Sequence, residues 1–263
     1  MDLAALAPSA RPLGMHSANA TTITLSIPPF TLSLTQSPSL LRSNAAQGTT
    51  GAVLWSITPH LACYLLSTKN PFAPLLTPTA TILELGCGVA AVLASTLGTR
   101  VGAYYQSDLG SMTKLAAQNL AANLPASPRR KPANYRPPNV STIEVDWENT
   151  DLPSHPSLRS LNRPLDIVIA SDCVYNEGLV PAFVDTLEAA GKLHREEGEE
   201  EEGKTLILVA QETRSPDVME CFLTTFMERF VVYRVPDESL SEDLKGDRGY
   251  VLHVGVLRDD VRE

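Results

Sequence analysis

A short apolar run that ends at two closely spaced glycines is the feature that most constrains the fold of this chain. Residues 81 to 85 read Thr-Ile-Leu-Glu-Leu, and Gly86-Cys87-Gly88 follows directly. This order predicts a buried strand, a tight glycine turn and the start of a helix, so that a ligand can approach the main chain of the turn closely. We therefore predict a cofactor site at the turn.

Two cofactors fit this turn. Gly86, Gly88 and Ala91 have the spacing of a dinucleotide-binding turn with alanine in the third place. Asp108, at the end of the second predicted strand, can hold the ribose hydroxyls of either cofactor. Glu84 favours S-adenosylmethionine over NAD, because a carboxylate is unfavourable beside a pyrophosphate but suits a cationic sulfonium and an amino group. The alternative without a ligand is a structural turn in an α/β domain.

Strand and helix patterns alternate over the rest of the chain. Apolar runs predict strands near 81–85, 101–107, 140–145, 165–170, 205–210, 230–235 and 250–256, with helices near 54–67, 89–97, 111–123, 178–192 and 215–228. The pattern predicts an α/β, Rossmann-like seven-strand sheet that is mostly parallel, with helices on both faces. We expect a disordered lead over residues 1–20, an N-terminal β extension over 21–53, with strands at 21–27 and 30–36, and the main domain over 54–263.

The charge of the chain is uneven and predicts the kind of partner. In residues 1 to 80 only Asp2, Arg11, Arg42 and Lys69 are charged, a net of +2, so residues 81 to 263 carry −11 and the whole chain −9. An acidic surface repels phosphate and attracts basic proteins. We therefore expect a basic protein substrate and no nucleic acid.

Cysteine usage and hydropathy favour an intracellular enzyme. The four cysteines, at positions 63, 87, 173 and 221, form no C-x-x-C pair and have no nearby histidine cluster, so we expect reduced thiols and no metal. No apolar run approaches the length of a membrane span, and the first 20 residues lack the pattern of a secretory signal. We expect a monomer in the cytoplasm, with the nucleus as a further compartment.

Polar and aromatic side chains follow the first four predicted strands of the sheet. Ligands of open parallel sheets bind beyond the carboxyl ends of the strands. The residues there are Gly86-Cys87-Gly88, Asp108, Asp146-Trp147-Glu148 and Ser171-Asp172-Cys173-Val174-Tyr175. Acidic and aromatic residues at consecutive strand ends predict a pocket for an adenosyl group and a cation.

The same residues resemble the seven-strand methyltransferases that methylate lysine in proteins, methyltransferase family 16. The resemblance covers about residues 37 to 257 and rests on Gly51-Ala-Val-Leu-Trp55, residues 82–88, Asp108, Asp146-Trp147-Glu148 and residues 170–175. Within the family, the chain looks most like the fungal ribosomal lysine methyltransferases. The resemblance implies an S-adenosylmethionine-dependent protein-lysine N-methyltransferase with a ribosomal protein as a candidate substrate.

The resemblance also implies a role for each site residue. It implies cofactor contacts from Trp55, the turn at Gly86, Cys87 and Gly88, Asp108, Trp147 and Ser171. It makes Asp172 and Tyr175 the D-x-x-Y signature beside the methyl-transfer channel, where Asp172 orients the lysine ammonium and Tyr175 forms a wall. The third glycine usual in the family is Ala90 here, and its methyl group can crowd the cofactor.

Three alternatives stay open at this point. Asp172 can instead cap a helix, because a predicted helix begins at Gly178. The whole chain can instead be an NAD-dependent oxidoreductase, or a methyltransferase-like module that binds a partner without catalysis.

Overall fold

Two β-sheets form in the described part of the chain, residues 14–43, 49–125, 137–194 and 204–258 of the computed structural model. Strands β1 (Thr22–Ile27) and β2 (Phe30–Thr35) pair antiparallel as a hairpin. The central sheet contains β3 (Thr81–Leu85), β4 (Ala103–Asp108), β5 (Val140–Glu144), β6 (Ile167–Ser171), β7 (Leu206–Glu212), β8 (Phe230–Arg234) and β9 (Tyr250–Leu257). Strands β3 and β6 are buried along their whole length, as expected for strands that are covered on both faces.

The strand order of the central sheet is β5-β4-β3-β6-β7-β9-β8. Strand β9 is antiparallel to β7 and β8, whereas the remaining pairs are parallel. The predicted fold class is confirmed, and each strand bound lies within two residues of its predicted position. Because β3 lies between β4 and β6, the strand order changes direction there, and ligands of such sheets bind at this point.

Helices cover both faces of the sheet. They are α1 (Pro38–Leu41), α2 (Ile57–Leu66), α3 (Val92–Leu97), α4 (Gly110–Asn123), α5 (Val180–Lys192) and α6 (Pro216–Arg229). Ile82 packs in the core with α2 and α3, whereas its neighbour Leu83 packs in the core with α5 and α6, because successive strand side chains point to opposite faces. No helix in the described ranges is long and apolar enough to span a membrane.

Helix starts differ from the sequence prediction at α2 and α3. Helix α2 begins at Ile57, three residues after the predicted 54. Helix α3 begins at Val92 and not near residue 89, because Ala91 has a left-handed backbone conformation with φ 53°. Helix α4 begins at Gly110, within one residue of its predicted start, and Leu109 before it provides no side-chain cap. Helix α6 starts as expected, with Pro216 in its first turn.

The N-terminal segment is more ordered than the sequence predicted. Residues 1–13 of the predicted disordered lead lie outside the described residues, but the structure corrects the expectation for residues 14–20. Met15 forms an isolated antiparallel bridge with Trp55, and the His16 N–H donates to the Leu54 carbonyl at 2.9 Å. Two segments whose composition predicts solvated loops, the proline-rich basic residues 125–138 before β5 and the acidic residues 196–202 before β7, lie almost wholly outside the described residues, which omit 126–136 and 195–203.

The hairpin is attached to α4 by asparagine side chains. Asn119 accepts from the Thr35 N–H at 2.8 Å and donates to the carbonyls of Thr35 at 2.8 Å and Val89 at 2.7 Å. Asn123 makes the equivalent exchange with Ser33. Asn119 therefore links the hairpin to the segment directly after the glycine turn.

We expect Asn119→Ala to lower the free energy of unfolding by about 2 to 4 kcal/mol, because it removes a buried hydrogen bond to the Val89 carbonyl and two partly buried ones to the main chain of Thr35. Chemical denaturation measures the change. Asn123→Ala is the matched control, since its hydrogen bonds to Ser33 are exposed to solvent, and its effect should be well below that of Asn119→Ala. Equal effects of the two substitutions would contradict this account.

Candidate active site

A cavity of about 310 Å³ lies beyond the carboxyl ends of β3, β4, β5 and β6. Every predicted site residue except Glu84 lines it: Trp55, Gly86, Cys87, Gly88, Asp108, Trp147, Ser171, Asp172 and Tyr175. Residues that are distant in the sequence meet here because the parallel strands all end at this edge of the sheet. The cavity has the size and the mixed polar and aromatic lining of a small-molecule site.

The glycine turn after β3 requires its two glycines. Gly86 and Gly88 have φ values of 69° and 60°, which are strained for residues with a side chain. A Cβ atom at Gly86 would lie 2.6 Å from the Cys173 sulfur, and one at Gly88 would lie 2.9 Å from the carbonyl oxygen of Gly51. The turn therefore packs closely against the loop at Gly51, and it leaves its open side to the cavity.

Asp108 holds the turn from the neighbouring strand. Its two carboxylate oxygens accept from the N–H groups of Gly88 and Leu109, each at 2.8 Å. A carboxylate has about four lone-pair positions, so it can accept further hydrogen bonds from a ligand. Burial raises the pKa of Asp108 to about 6, against the opposing effect of these hydrogen bonds. The group is thus ionised at neutral pH, close to its titration range.

The structure corrects the expectation for Glu84. Its side chain is buried beneath the turn, does not line the cavity, and accepts from the Tyr104 hydroxyl at 2.9 Å. Burial raises the pKa of Glu84 to about 8, so the carboxyl is mostly neutral at pH 7. The electrostatic reason for choosing a sulfonium cofactor over a pyrophosphate therefore does not hold for Glu84.

Asp172, directly after β6, is fully buried and paired. It has a left-handed backbone with φ 61°, and its side chain is 0% exposed. Its carboxylate accepts from both terminal nitrogens of Arg214, with Nη1 at 3.0 Å, and from the Glu212 N–H at 3.3 Å. Burial raises the pKa of Asp172, and the Arg214 ion pair opposes the rise.

Asp172 is not a helix cap. The first turn before α5 is capped by Asn176, whose side-chain oxygen accepts from the Gly178 N–H at 3.0 Å. The alternative that Asp172 caps a helix is therefore wrong. Asp172 is instead a buried acid in the wall of the cavity.

Aromatic rings form the remaining walls. The Trp55 indole N–H donates to the Thr50 carbonyl at 3.0 Å, and the Trp147 ring lies 4.8 Å from that of Phe183. Tyr175 remains 39% exposed. The β6 end of the cavity therefore opens to solvent beside Tyr175. The Ser171 hydroxyl lies 2.9 Å from that of Thr58, so its hydrogen bonding is partly used within the protein.

Sequence reasoning missed Arg214 and Glu212. Both lie at the end of β7, and Arg214 pairs with Glu212 at 3.0 Å as well as with Asp172. The rule that functional side chains follow the strands applies to β7 as it does to β3 through β6, and it would have pointed to Glu212-Thr213-Arg214. Ala90 also lines the cavity, although the left-handed conformation falls on Ala91.

Comparison with known proteins decides between the candidate families. The family model described as lysine methyltransferase matches residues 35–228. The chain belongs to the lysine methyltransferase family. The predicted membership is confirmed, and the oxidoreductase alternative is not favoured.

Three individual proteins with similarity to this lysine methyltransferase illustrate the comparison. Ribosomal lysine N-methyltransferase 5 of Eremothecium gossypii is 29% identical over an alignment of 261 positions, gaps included, that spans 81% of this chain and 81% of that protein. The diaminohydroxyphosphoribosylamino-pyrimidine deaminase of Schizosaccharomyces pombe is 30% identical over 207 residues, covering 78% of this chain and 44% of that protein. A solved structure, the N-methyltransferase NodS of Bradyrhizobium japonicum with S-adenosyl-L-homocysteine, matches at 14% identity with a TM-score of 0.43, covering 74% of this chain and 95% of that one.

S-adenosylmethionine is the methyl donor of this lysine methyltransferase, as predicted. The residues present fit it. Gly86 and Gly88 line the cavity with main chain alone, and Asp108 keeps acceptor capacity toward the cavity. Trp55 and Trp147 offer aromatic surface for a flat ring.

Proposed function

We propose that this lysine methyltransferase methylates a lysine ε-amine of a ribosomal protein, and that the lysine enters beside Asp172 and Tyr175. The observation that carries the proposal is the two-ended cavity. One end has a glycine turn and an acid suited to a nucleoside, and the other has a buried acid and a solvent-exposed tyrosine. The ribosomal lysine methyltransferase of Eremothecium gossypii supports the substrate class.

The cofactor end, in this proposal, comprises Trp55, Gly86, Cys87, Gly88, Asp108, Trp147 and Ser171. Asp108 accepts hydrogen bonds from the ribose hydroxyls, and the main chain of the turn lies against the nucleoside. S-adenosylmethionine, when bound, supplies a methyl group that its sulfonium has already activated. The protein therefore has to position an acceptor and exclude water, and it needs no strong acid or base of its own.

The acceptor end comprises Asp172 and Tyr175. A lysine titrates near ~10.4, so its amine must lose a proton before it attacks, and the nitrogen must lie about 3 Å from the methyl carbon. The Asp172 carboxylate is buried behind the cavity wall, and it orients the amine through its negative charge. The Arg214 ion pair partly balances the charge of Asp172, which weakens the preference for a fully charged ammonium. Tyr175 forms the wall that guides the side chain inward.

The net charge of −9 supports a basic ribosomal protein as the partner. We infer that the enzyme meets this partner in the cytoplasm. That the enzyme is a monomer stays a prediction.

We expect the apparent kcat/KM on the protein substrate to fall as salt rises. Screening lengths shorten from about 10 Å at 0.1 M to about 3 Å at 1 M, so long-range attraction between an acidic enzyme and a basic protein is lost. Initial rates over a salt series measure the effect. Affinity for S-adenosylhomocysteine is the internal control and should change much less. A rate on the protein substrate that does not depend on salt would contradict electrostatic recruitment.

The proposed function is tested by labelling an extract from cells that lack the enzyme. The enzyme and radiolabelled S-adenosylmethionine are added, and mass spectrometry of the labelled bands identifies protein and residue. We expect label on a lysine of a ribosomal protein. Label confined to proteins outside the ribosome would overturn the substrate assignment, and label on a residue other than lysine would overturn the acceptor assignment.

A further inference from the structure

Arg214 connects three separate parts of the site. Its terminal nitrogens hold both carboxylate oxygens of Asp172, and Nη2 also lies 3.0 Å from Glu212 Oε2. The guanidinium carbon lies 4.7 Å from the centre of the Trp55 ring. One side chain thereby links the end of β6, the end of β7 and the loop before α2. Arg214 itself does not line the cavity, whereas Trp55 and Asp172 do.

Gly14 packs against the outer side of the cluster that Arg214 forms with Trp55, Asp172 and Glu212. The Ser56 N–H donates to the Gly14 carbonyl at 2.8 Å, and the neighbouring Met15 bridges to Trp55. Gly14 has φ +67°, and a Cβ atom there would lie 2.0 Å from Glu212 Oε2 and 2.5 Å from Arg214 Nη2. Only a glycine allows the N-terminal segment to pack this closely, so the cluster has little freedom to shift.

Stability alone does not account for the cluster. Desolvation largely offsets the attraction in buried ion pairs, so they add little net stability. They do fix geometry, because a guanidinium fork holds a carboxylate in one plane and stacks on an aromatic face. Asp172 also needs such fixing, since its left-handed backbone persists only where its surroundings determine it.

We propose that Arg214 is a positioning residue for methyl transfer, which holds the Asp172 carboxylate, at the acceptor end of the cavity, in one arrangement relative to the Trp55 ring. The inference rests on the proposed role of Asp172 toward the lysine. Arg214 acts through these two residues and does not touch the acceptor.

The first test is Arg214→Lys, which keeps the charge but loses the fork and the planar stacking surface. We expect kcat to fall about tenfold, while KM for the protein substrate and affinity for S-adenosylhomocysteine stay within about twofold. Arg229→Lys is the matched control, because Arg229 pairs with Asp185 and Glu188 at the surface and should keep wild-type kcat. Wild-type kcat in Arg214→Lys would overturn the proposal, and so would a loss of cofactor affinity as large as the loss of kcat.

Gly14→Ala disturbs the same cluster from the opposite side. Its Cβ atom cannot fit without moving Arg214, Glu212 or the N-terminal segment, so we expect the same pattern of lower kcat at unchanged cofactor affinity. Gly191→Ala in α5 is the control, since a Cβ atom there meets Phe230 at an ordinary 3.9 Å. Wild-type kcat in Gly14→Ala would count against the proposal.

Tryptophan fluorescence tests Arg214 without any protein substrate. The chain has two tryptophans, so Trp147→Phe leaves Trp55 as the only emitter. In that background we expect Arg214→Lys to change the Trp55 emission and Arg229→Lys to leave it unchanged. An unaltered emission in Arg214→Lys would overturn the proposal. This result is independent of the proposed function, which fails separately if the wild-type enzyme labels no ribosomal lysine.

Discussion

Asp172→Asn is expected to slow methyl transfer by about two orders of magnitude or more, with affinity for S-adenosylhomocysteine nearly intact. The substitution keeps the size of the side chain, and asparagine tolerates the left-handed backbone that Asp172 adopts. It removes the charge that pairs with Arg214 and that acts on the amine across the cavity wall. Single-turnover kinetics on a verified substrate, together with calorimetry of cofactor binding, measure the two quantities.

The controls for Asp172→Asn address its structural role. The helix-cap alternative predicts little change, because asparagine caps a helix about as well as aspartate, and Asn176 supplies that cap in the structure. Loss of the ion pair with Arg214 can lower stability, so thermal unfolding must show that the variant is folded at the assay temperature. If the folded variant keeps more than about half of the wild-type rate, Asp172 has no part in positioning the amine.

Asp108→Ala is expected to weaken binding of S-adenosylhomocysteine about tenfold to a hundredfold. The loss of a charge-assisted acceptor costs about 1.5 to 3 kcal/mol. The variant also leaves the N–H groups of Gly88 and Leu109 without their partner, which loosens the turn. Calorimetry measures the affinity. Unchanged affinity in a folded variant would contradict a role for Asp108 in cofactor binding.

Because the pKa of Asp108 is raised, the affinity for S-adenosylhomocysteine should depend on pH. Hydrogen bonds from ribose hydroxyls favour the ionised acid, so affinity is full above pH about 6 and falls as the pH drops through that value. Asp108→Asn cannot titrate, and its weaker affinity should therefore lose this dependence on pH. If the wild-type enzyme and Asp108→Asn lose affinity equally at low pH, a group other than Asp108 causes the pH dependence.

The central sheet could be predicted from the sequence because its strands are buried runs of apolar residues. β3 and β6 are covered on both faces, so every side chain in them is constrained, and their limits are visible in the sequence. The site could be predicted from the same strand limits, because the parallel strands β3, β4 and β6 end at one edge of the sheet and place Gly86, Asp108 and Asp172 there. All that was needed was the type of residue at each strand end.

The parts that could not be predicted depend on contacts between distant polar residues. The cluster of Gly14, Trp55, Asp172, Glu212 and Arg214 joins four segments, and nothing periodic in the sequence pairs them. Residues 14–16 are ordered by main-chain hydrogen bonds to the loop at Trp55, and the Gln36 side-chain amide donates to the carbonyls of Ser17 and Ala20; these contacts leave no compositional signal.

Glu84 shows a second limit of sequence reasoning. Its position just before the turn is visible in the sequence, but the burial that neutralises its carboxyl and directs it to Tyr104 is not. A residue type near a site therefore predicts chemistry only when the direction and solvation of its side chain are known.

The most direct test of the two-ended cavity is a crystal structure of the enzyme with S-adenosylhomocysteine and a lysine peptide from the labelled protein. We expect the ribose hydroxyls against Asp108 and the lysine side chain beside Asp172 and Tyr175. Its nitrogen should lie within about 3 to 4 Å of where the transferred methyl carbon would be. A nucleoside bound beside Tyr175, or a lysine that reaches the cofactor from the side of Asp108, would contradict the account.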